Sequence, residues 1–329
     1  MDKKLLGYAA LFVGIALLPA LGVYPIFVMK VLCYALFACA FNLLVGFTGL
    51  LSFGHAAFLG TAAYTCGHAL KVWGLPAPLG LLVGAGAAAG VGLLFGLLAI
   101  RRSGIYFSMI TLALAQMLYF FFLQAPFTGG EDGLQSVPRG SFLGLDLAND
   151  LTLFYVVLGI FIAAFWLIYR IVHSPFGQVL TSIRENEARA TSLGYDTGHF
   201  KLLAFVLSAG LAGLAGATKT LVLGFATLTD AIWTTSGLVI LMTLVGGMGT
   251  LVGPMVGALV IIALENKIGD LGKLLADTTG VAWFNGLGES VTLVTGLIFI
   301  ACVLAFRRGV VGELSHHWRR RTERRAAGR

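Results

Sequence analysis

Apolar runs of about 20 residues recur from Leu5 to Phe306, separated by short polar or glycine-rich joints. No water reaches a bilayer core, so a crossing segment must satisfy its own backbone N–H and C=O groups. Only helices and closed barrels do so. These runs have the length a helix needs to cover the hydrocarbon layer, and they lack the period-two alternation of barrel strands. With 11% charged residues and a mean hydropathy of +0.92, the chain reads as all-α, a polytopic membrane protein of about ten transmembrane helices.

The spans fall at 5–23, 26–45, 55–72, 77–100, 104–124, 151–169, 201–223, 231–246, 252–266 and 290–306. Asp2, Lys3 and Lys4 before the first run, with Pro19-Ala20 near its end, resemble a signal peptide; the second span follows at once, which favours an uncleaved helix. Charge tests the count. With the N-terminus in the cytoplasm, 16 of the 22 Lys and Arg residues lie inside: Lys3, Lys4, Arg101, Arg102, four in 170–201 and eight from Arg307 onward. Lys71, Arg139, Lys267 and Lys273 lie outside, and Lys30 and Lys219 fall within spans. That asymmetry is the positive-inside bias, and it puts both termini in the cytoplasm. The organisation is one membrane domain, 1–306, with a cytoplasmic loop at 170–201 and a basic tail, 307–329. The tail WRRRTERR suits anionic lipid and not nucleic acid. Two glycine-rich breaks, GFTGLLSFG (46–54) and GGMGTLVGP (246–254), are either turns or re-entrant segments.

The polar island 170–201 carries Arg170, Arg184, Glu185, Glu187, Arg189, Asp196 and Lys201. Its helix grammar is complete: Ser174 as cap, Pro175 at the first position, and Gly194 as a left-handed stop. Phe176, Val179, Leu180 and Ile183 form an apolar stripe between them, before the charged run RENEAR (184–189). Asp196 offers a second cap. A short two-signed helix of this kind docks in the groove of a soluble partner, or it is simply a solvated helix on the headgroups.

Most chemistry is excluded. GLAGATKT (213–220) nearly spells a phosphate-binding loop, but Thr218 stands where glycine is required and the segment lies in an apolar run, so helix packing is the better reading. Cys33, Cys39, Cys66 and Cys302 sit singly in apolar runs, with no metal-ligand spacing. No HExxH or nucleophile elbow occurs, which argues against an enzyme. Lys219 is expected to snorkel to the headgroups, and no carboxylate lies in mid-span, which weighs against an ion-coupled carrier. The mildly polar residues of the spans would bond between helices by default. Asn42, Ser52, His55 and Gln116 are the candidates for a translocation path for a small neutral or zwitterionic solute. Outside, Gly129, Gly130, Glu131 and Asp132 of TGGEDG are either a docking surface or only a turn.

NLLVGFTGLLSFGHAAFLGTAAY (42–64), GIYFSMITLALAQML (104–118), TGGEDGLQSVPR (128–139), SPFGQVLTSIRENEARATSLGYDTGHFKLLAFVLSA (174–209) and GGMGTLVGP together resemble the LivM-type permeases of bacterial branched-chain amino acid ABC importers. The resemblance runs from about residue 30 to 310 and implies an ABC importer permease fold in a bacterial inner membrane. It implies a second, related permease, two cytoplasmic ATPases that hold ATP and Mg, a periplasmic binding protein, and no cofactor in this chain. It further implies that the island is the coupling helix, with Arg184, Glu185, Glu187 and Arg189 as contacts and Gly194 as its turn. One departure stands: such permeases commonly carry EAA with the glycine one residue closer, whereas Arg189 takes the third position here. A permease for urea or short amides, an ion-coupled carrier and a passive channel are the competing functions.

Overall fold

The computed structural model describes residues 3–142 and 144–279, with 296, 297, 300, 309 and 311–313. The expected span 290–306 and the basic tail lie largely outside the described residues. The chain forms two compact units, Met1–Gly237 and Leu238–Arg329.

In the first unit the helices are α1 (Lys3–Leu17), α2 (Pro25–Val45), α3 (His55–Lys71), α4 (Ala77–Ala99), α5 (Ile105–Gln124), α6 (Asp150–Val172), α7 (Pro175–Glu185), α8 (Glu187–Ser192) and α9 (Thr197–Leu223). α10 (Trp233–Gly246) begins in this unit, and a two-residue antiparallel pair, β1 (Ser141–Phe142) and β2 (Leu145–Asp146), lies between α5 and α6. Among the described residues α2, α4, α5, α6 and α9 are long and apolar enough to cross a membrane. α3 has 17 residues, α1 has 15 and α10 has 14. α1 stops six residues before the sequence pattern ends, because Pro19 lacks the N–H that would continue it and starts a 3₁₀ turn closed by Gly22.

α9 packs along α2, α3 and α4. Small residues set these distances. A Cβ added at Gly213 would meet that of Ala88, one at Gly92 would meet Ala209, and one at Gly216 would strike the carbonyl of Leu59. GLAGATKT is therefore a packing surface inside α9, as its composition indicates. Of the five candidate spans α2 is the most enclosed, with 83% of its apolar 18-residue stretch buried against 28% for α5, whose Met109, Met117 and Phe120 point outward. α1 rests on α6 through edge-on contacts of Phe12 with Phe161 and Phe165.

In the second unit the end of α10 meets α11 (Gly253–Thr279) backbone to backbone. A side chain on Gly257 would collide with the Met242 carbonyl, and one on Gly246 with that of Gly253. Thr250 closes the turn: its hydroxyl donates to Gly247 O at 2.8 Å and accepts from Gly253 N at 3.1 Å. The 246–254 break is thus a tight helical turn. α11 runs well past the expected end at 266, and apolar residues at 268, 271, 274 and 275 keep helical spacing in that stretch of the sequence.

Gly216→Ala should lower the melting temperature in detergent, because overpacking of this kind costs about 1–3 kcal/mol. Gly86→Ala, with open space around its Cβ, should leave it unchanged or raise it.

Candidate functional site

The island folds as a bend of two short helices. Ser174 Oγ accepts from Gly177 N at 3.4 Å, and Pro175 opens α7. Gly177 lies against the carbonyls of Ile171 and Val172, where no side chain fits. Leu180 and Ile183 are buried, while Phe176 stacks on Phe200 at 5.6 Å. The expected single helix from Ser174 to Gly194 is corrected: α7 ends at Asn186, whose extended backbone (φ −158°, ψ 99°) lets its side chain accept from Arg189 N at 3.0 Å and cap α8. Asparagine is a better cap than interior helix residue, so the chain breaks there. Gly194 turns the chain at φ +89°, and Asp196 caps α9 by accepting from His199 N at 3.2 Å.

The charges of RENEAR divide in two. Arg184 is exposed, yet it reaches back to donate through Nη1 to the Gly46 carbonyl. Glu187 pairs with Lys201 at 2.5 Å and accepts from Thr197 Oγ1 at 3.3 Å, which ties α8 to the first turn of α9. Glu185 and Arg189 are exposed, and their side chains have no described partner.

Beneath the bend lies the loop 46–54, with Thr48, Leu50 and Ser52 buried. Phe53 N donates to Thr111 Oγ1 at 3.3 Å, and Ser108 Oγ donates to Leu51 O at 2.6 Å, both on α5. Ser52 Oγ accepts from Gly54 N at 3.2 Å. His55 is fully buried among Phe41, Phe58 and Phe205. Its Nε2 lies 2.8 Å from Ser208 Oγ, and that hydroxyl donates to Ala40 O at 2.6 Å. The single hydroxyl proton is therefore committed, so His55 Nε2–H must be the donor to Ser208. Three of the four path candidates, Asn42, Ser52 and His55, are thus enclosed by the bundle. Gln116, half-buried on α5, is the fourth; its enclosed Nε2 has no described hydrogen-bond partner.

At the opposite end of α9, the TGGEDG turn is held to the α9–α10 connection. Leu134 and Ala226 exchange two backbone hydrogen bonds, and Val137 N donates to Gly224 O at 2.8 Å. Gly129 and Gly130 have positive φ, and a side chain on Gly129 would meet the Gly133 carbonyl, so both serve the turn. Glu131 and Asp132 are exposed. Lys71 Nζ donates to Gln135 O at 2.8 Å, and Arg139 pairs with Asp150 at 2.7 Å while also reaching Val222 O. The expectation that Lys219 snorkels is corrected: it is 7% exposed and ion-paired with Asp230, itself 2% exposed. Asp230 Oδ2 also accepts from Thr227 N at 3.4 Å. Sequence reasoning missed this pair because each residue sits at a different span edge; a lone cation and a lone acid at neighbouring edges were the available signal.

Membrane-length helices, with α9 packed along α2, α3 and α4 and a charged two-helix bend at one end, define a polytopic helical membrane protein. Residues 25–307 match the family described as branched-chain amino acid transport system / permease component, and the chain belongs to that family. It is similar to the high-affinity branched-chain amino acid transport system permease protein LivM of Escherichia coli, 25% identical over 264 residues, which is 73% of this chain and 62% of that protein. The LivM of Salmonella typhimurium is 26% identical over 268 residues, with the same shares. The autoinducer 2 import system permease protein LsrC of Klebsiella pneumoniae is 29% identical over 156 residues, 43% of this chain and 42% of that one. The chain spans 62% of the length of the LivM relatives it matches.

Replacing one member of the buried Lys219–Asp230 pair strands the other charge, so Lys219→Met and Asp230→Asn should each cost about 3–5 kcal/mol of stability. The double variant Lys219→Met/Asp230→Leu should recover most of that loss, read as melting temperature in detergent.

Proposed function

We propose that this chain is the transmembrane permease subunit of an ATP-driven importer for branched-chain, hydrophobic amino acids, seated in a bacterial inner membrane with cytoplasmic termini. The observation that carries the coupling part is the folded bend at 174–194, with Glu185 and Arg189 exposed while Arg184 and Glu187 hold it to the bundle. A rigid, amphipathic unit with an unpaired two-signed face suits helix-in-groove docking. Two cytoplasmic ATPases grip that face and hold ATP and Mg; this chain supplies no cofactor. A second, related permease completes the channel. A periplasmic binding protein delivers the solute to the end carrying 125–150, with Gly129, Gly130, Glu131 and Asp132 at the contact.

Transport then needs no bond chemistry here. ATP binding draws the ATPases together, the bend moves with them, and the spans shift as bodies between two accessible states. Selectivity for the solute resides mainly in the binding protein. Along the path Gln116 offers an unspent amide N–H, a weak contact suited to a solute that must leave again. The name of LivM supports the amino acid reading, and that of LsrC supports a different solute within the same architecture.

Reconstituted with its ATPases, second permease and binding protein, the chain should take up leucine only with ATP and without an ion gradient. Robust leucine counterflow by this chain alone would favour an ion-coupled carrier, and uptake of urea or short amides in place of leucine would reassign the substrate. The charge reversal Glu185→Arg/Arg189→Glu should leave insertion intact and reduce ATPase copurification at least about tenfold, equivalent to about 1.4 kcal/mol.

A further inference from the structure

Arg184 stands at the end of α7, yet its guanidinium reaches residue 46. Every other hydrogen bond described for 174–194 stays within 170–201. The acceptor is the carbonyl of Gly46, the cap residue just after α2, where the last carbonyls of a helix lack a partner of their own. The aliphatic stem of Arg184 covers Gly49, whose Cβ would come 3.1 Å from Arg184 Cγ and whose φ of +78° favours glycine in any case. The arginine therefore grips the loop twice, by its charge and by its stem.

That loop is fastened on its far side to α5, and the first turn of α3 that follows it is fastened to α9 and α10. Phe53 N and Leu51 O bond to Thr111 and Ser108 of α5. Directly after the loop, His55 bonds to Ser208 of α9, and Ser208 continues to Ala40 of α2. Ala56 N donates to Ser236 at the start of α10 at 2.9 Å. A displacement of the bend that pulls Arg184 thus meets a loop that joins α2 to α3, is bonded to α5, and leads directly into an α3 turn bonded to α9 and α10.

We propose that Arg184 is a positioning residue: it carries movement of the 170–201 bend into the 46–54 loop, so that the spans follow the motor. This rests on the reading that the bend docks on ATPases, and it removes Arg184 from the docking contacts. A chain of hydrogen bonds between rigid elements is the physical means by which one site biases another.

The test uses the whole complex with its ATPases, second permease and binding protein in liposomes. Arg184→Met keeps the stem over Gly49 but has no donor, whereas Arg184→Lys keeps a cationic donor. The methionine variant should copurify with the ATPases and hydrolyse ATP at the wild-type basal rate. Its solute uptake per ATP should fall at least about tenfold, the scale of one lost charge-assisted hydrogen bond, and lysine should restore most of it. Thr111→Val, which unfastens Phe53 at the other side of the loop, should uncouple in the same way, and it serves if the Arg184 variants fail to insert. Wild-type uptake per ATP in either Arg184→Met or Thr111→Val would overturn the relay. So would loss of the ATPases from Arg184→Met, which would make Arg184 a docking contact, and so would equal losses in the Met and Lys variants. If the wild-type complex transports without nucleotide, the importer reading falls; if only the variants behave as wild type, the relay alone falls.

Discussion

Close approach of backbones along α9 holds the first unit together. Lipid tails are as apolar as leucine, so helices in a bilayer gain little from hiding apolar surface and associate through dispersion contacts and interhelical bonds. Those contacts are dense only where side chains are small. Gly213, Gly216 and Ala209 on α9 meet Ala88, Leu59 and Gly92 with no space for a further carbon at the glycines. Because α9 is drawn so near its neighbours, its polar side chains reach across: Ser208 to Ala40 and His55, Thr220 to Ala63, Lys219 to Asp230.

The polar residues are concentrated at the two ends of this packed stack, and they work differently there. Near one end the loop 46–54 and the bend 170–201 form a continuous hydrogen-bonded set in which Arg184 is the link. Near the other, cations are used up on local structure: Lys71 on Gln135, Arg139 on Asp150, Lys219 on Asp230. Exposed charges with no described partner remain in the bend, at Glu185 and Arg189, and elsewhere at Arg101, Arg102, Glu131 and Asp132.

Much of the bend was legible before any coordinates. The cap Ser174, the opening Pro175, the stop Gly194 and the second cap Asp196 all act as their types predict, since each role depends on one residue and its own backbone. The break at Asn186 was not, because asparagine is tolerated within a helix and caps only when the chain gains by turning there. The division of RENEAR into two charges with partners and two without was equally hidden. Helical spacing places Arg184 beside Ile183 and Leu180, but the acceptor it reaches is 138 residues away. The sequence makes His55 a path candidate; its role as a tie to Ser208 required α9 to be in place.

Local chemistry settled the all-helical membrane class, the span cores from α2 to α9, the glycine-dependent turns and the charged bend, because hydrogen bonding in apolar surroundings and the limits on φ act on each segment by itself. Tertiary structure alone decided which polar groups are spent. Lys219 lies against Asp230 and not among headgroups, Arg184 lies on the Gly46 carbonyl, and Gln116 keeps an enclosed N–H without a described acceptor. A buried charge or donor takes whichever partner packing brings within about 3 Å, and packing distance is set by residues far away in the chain.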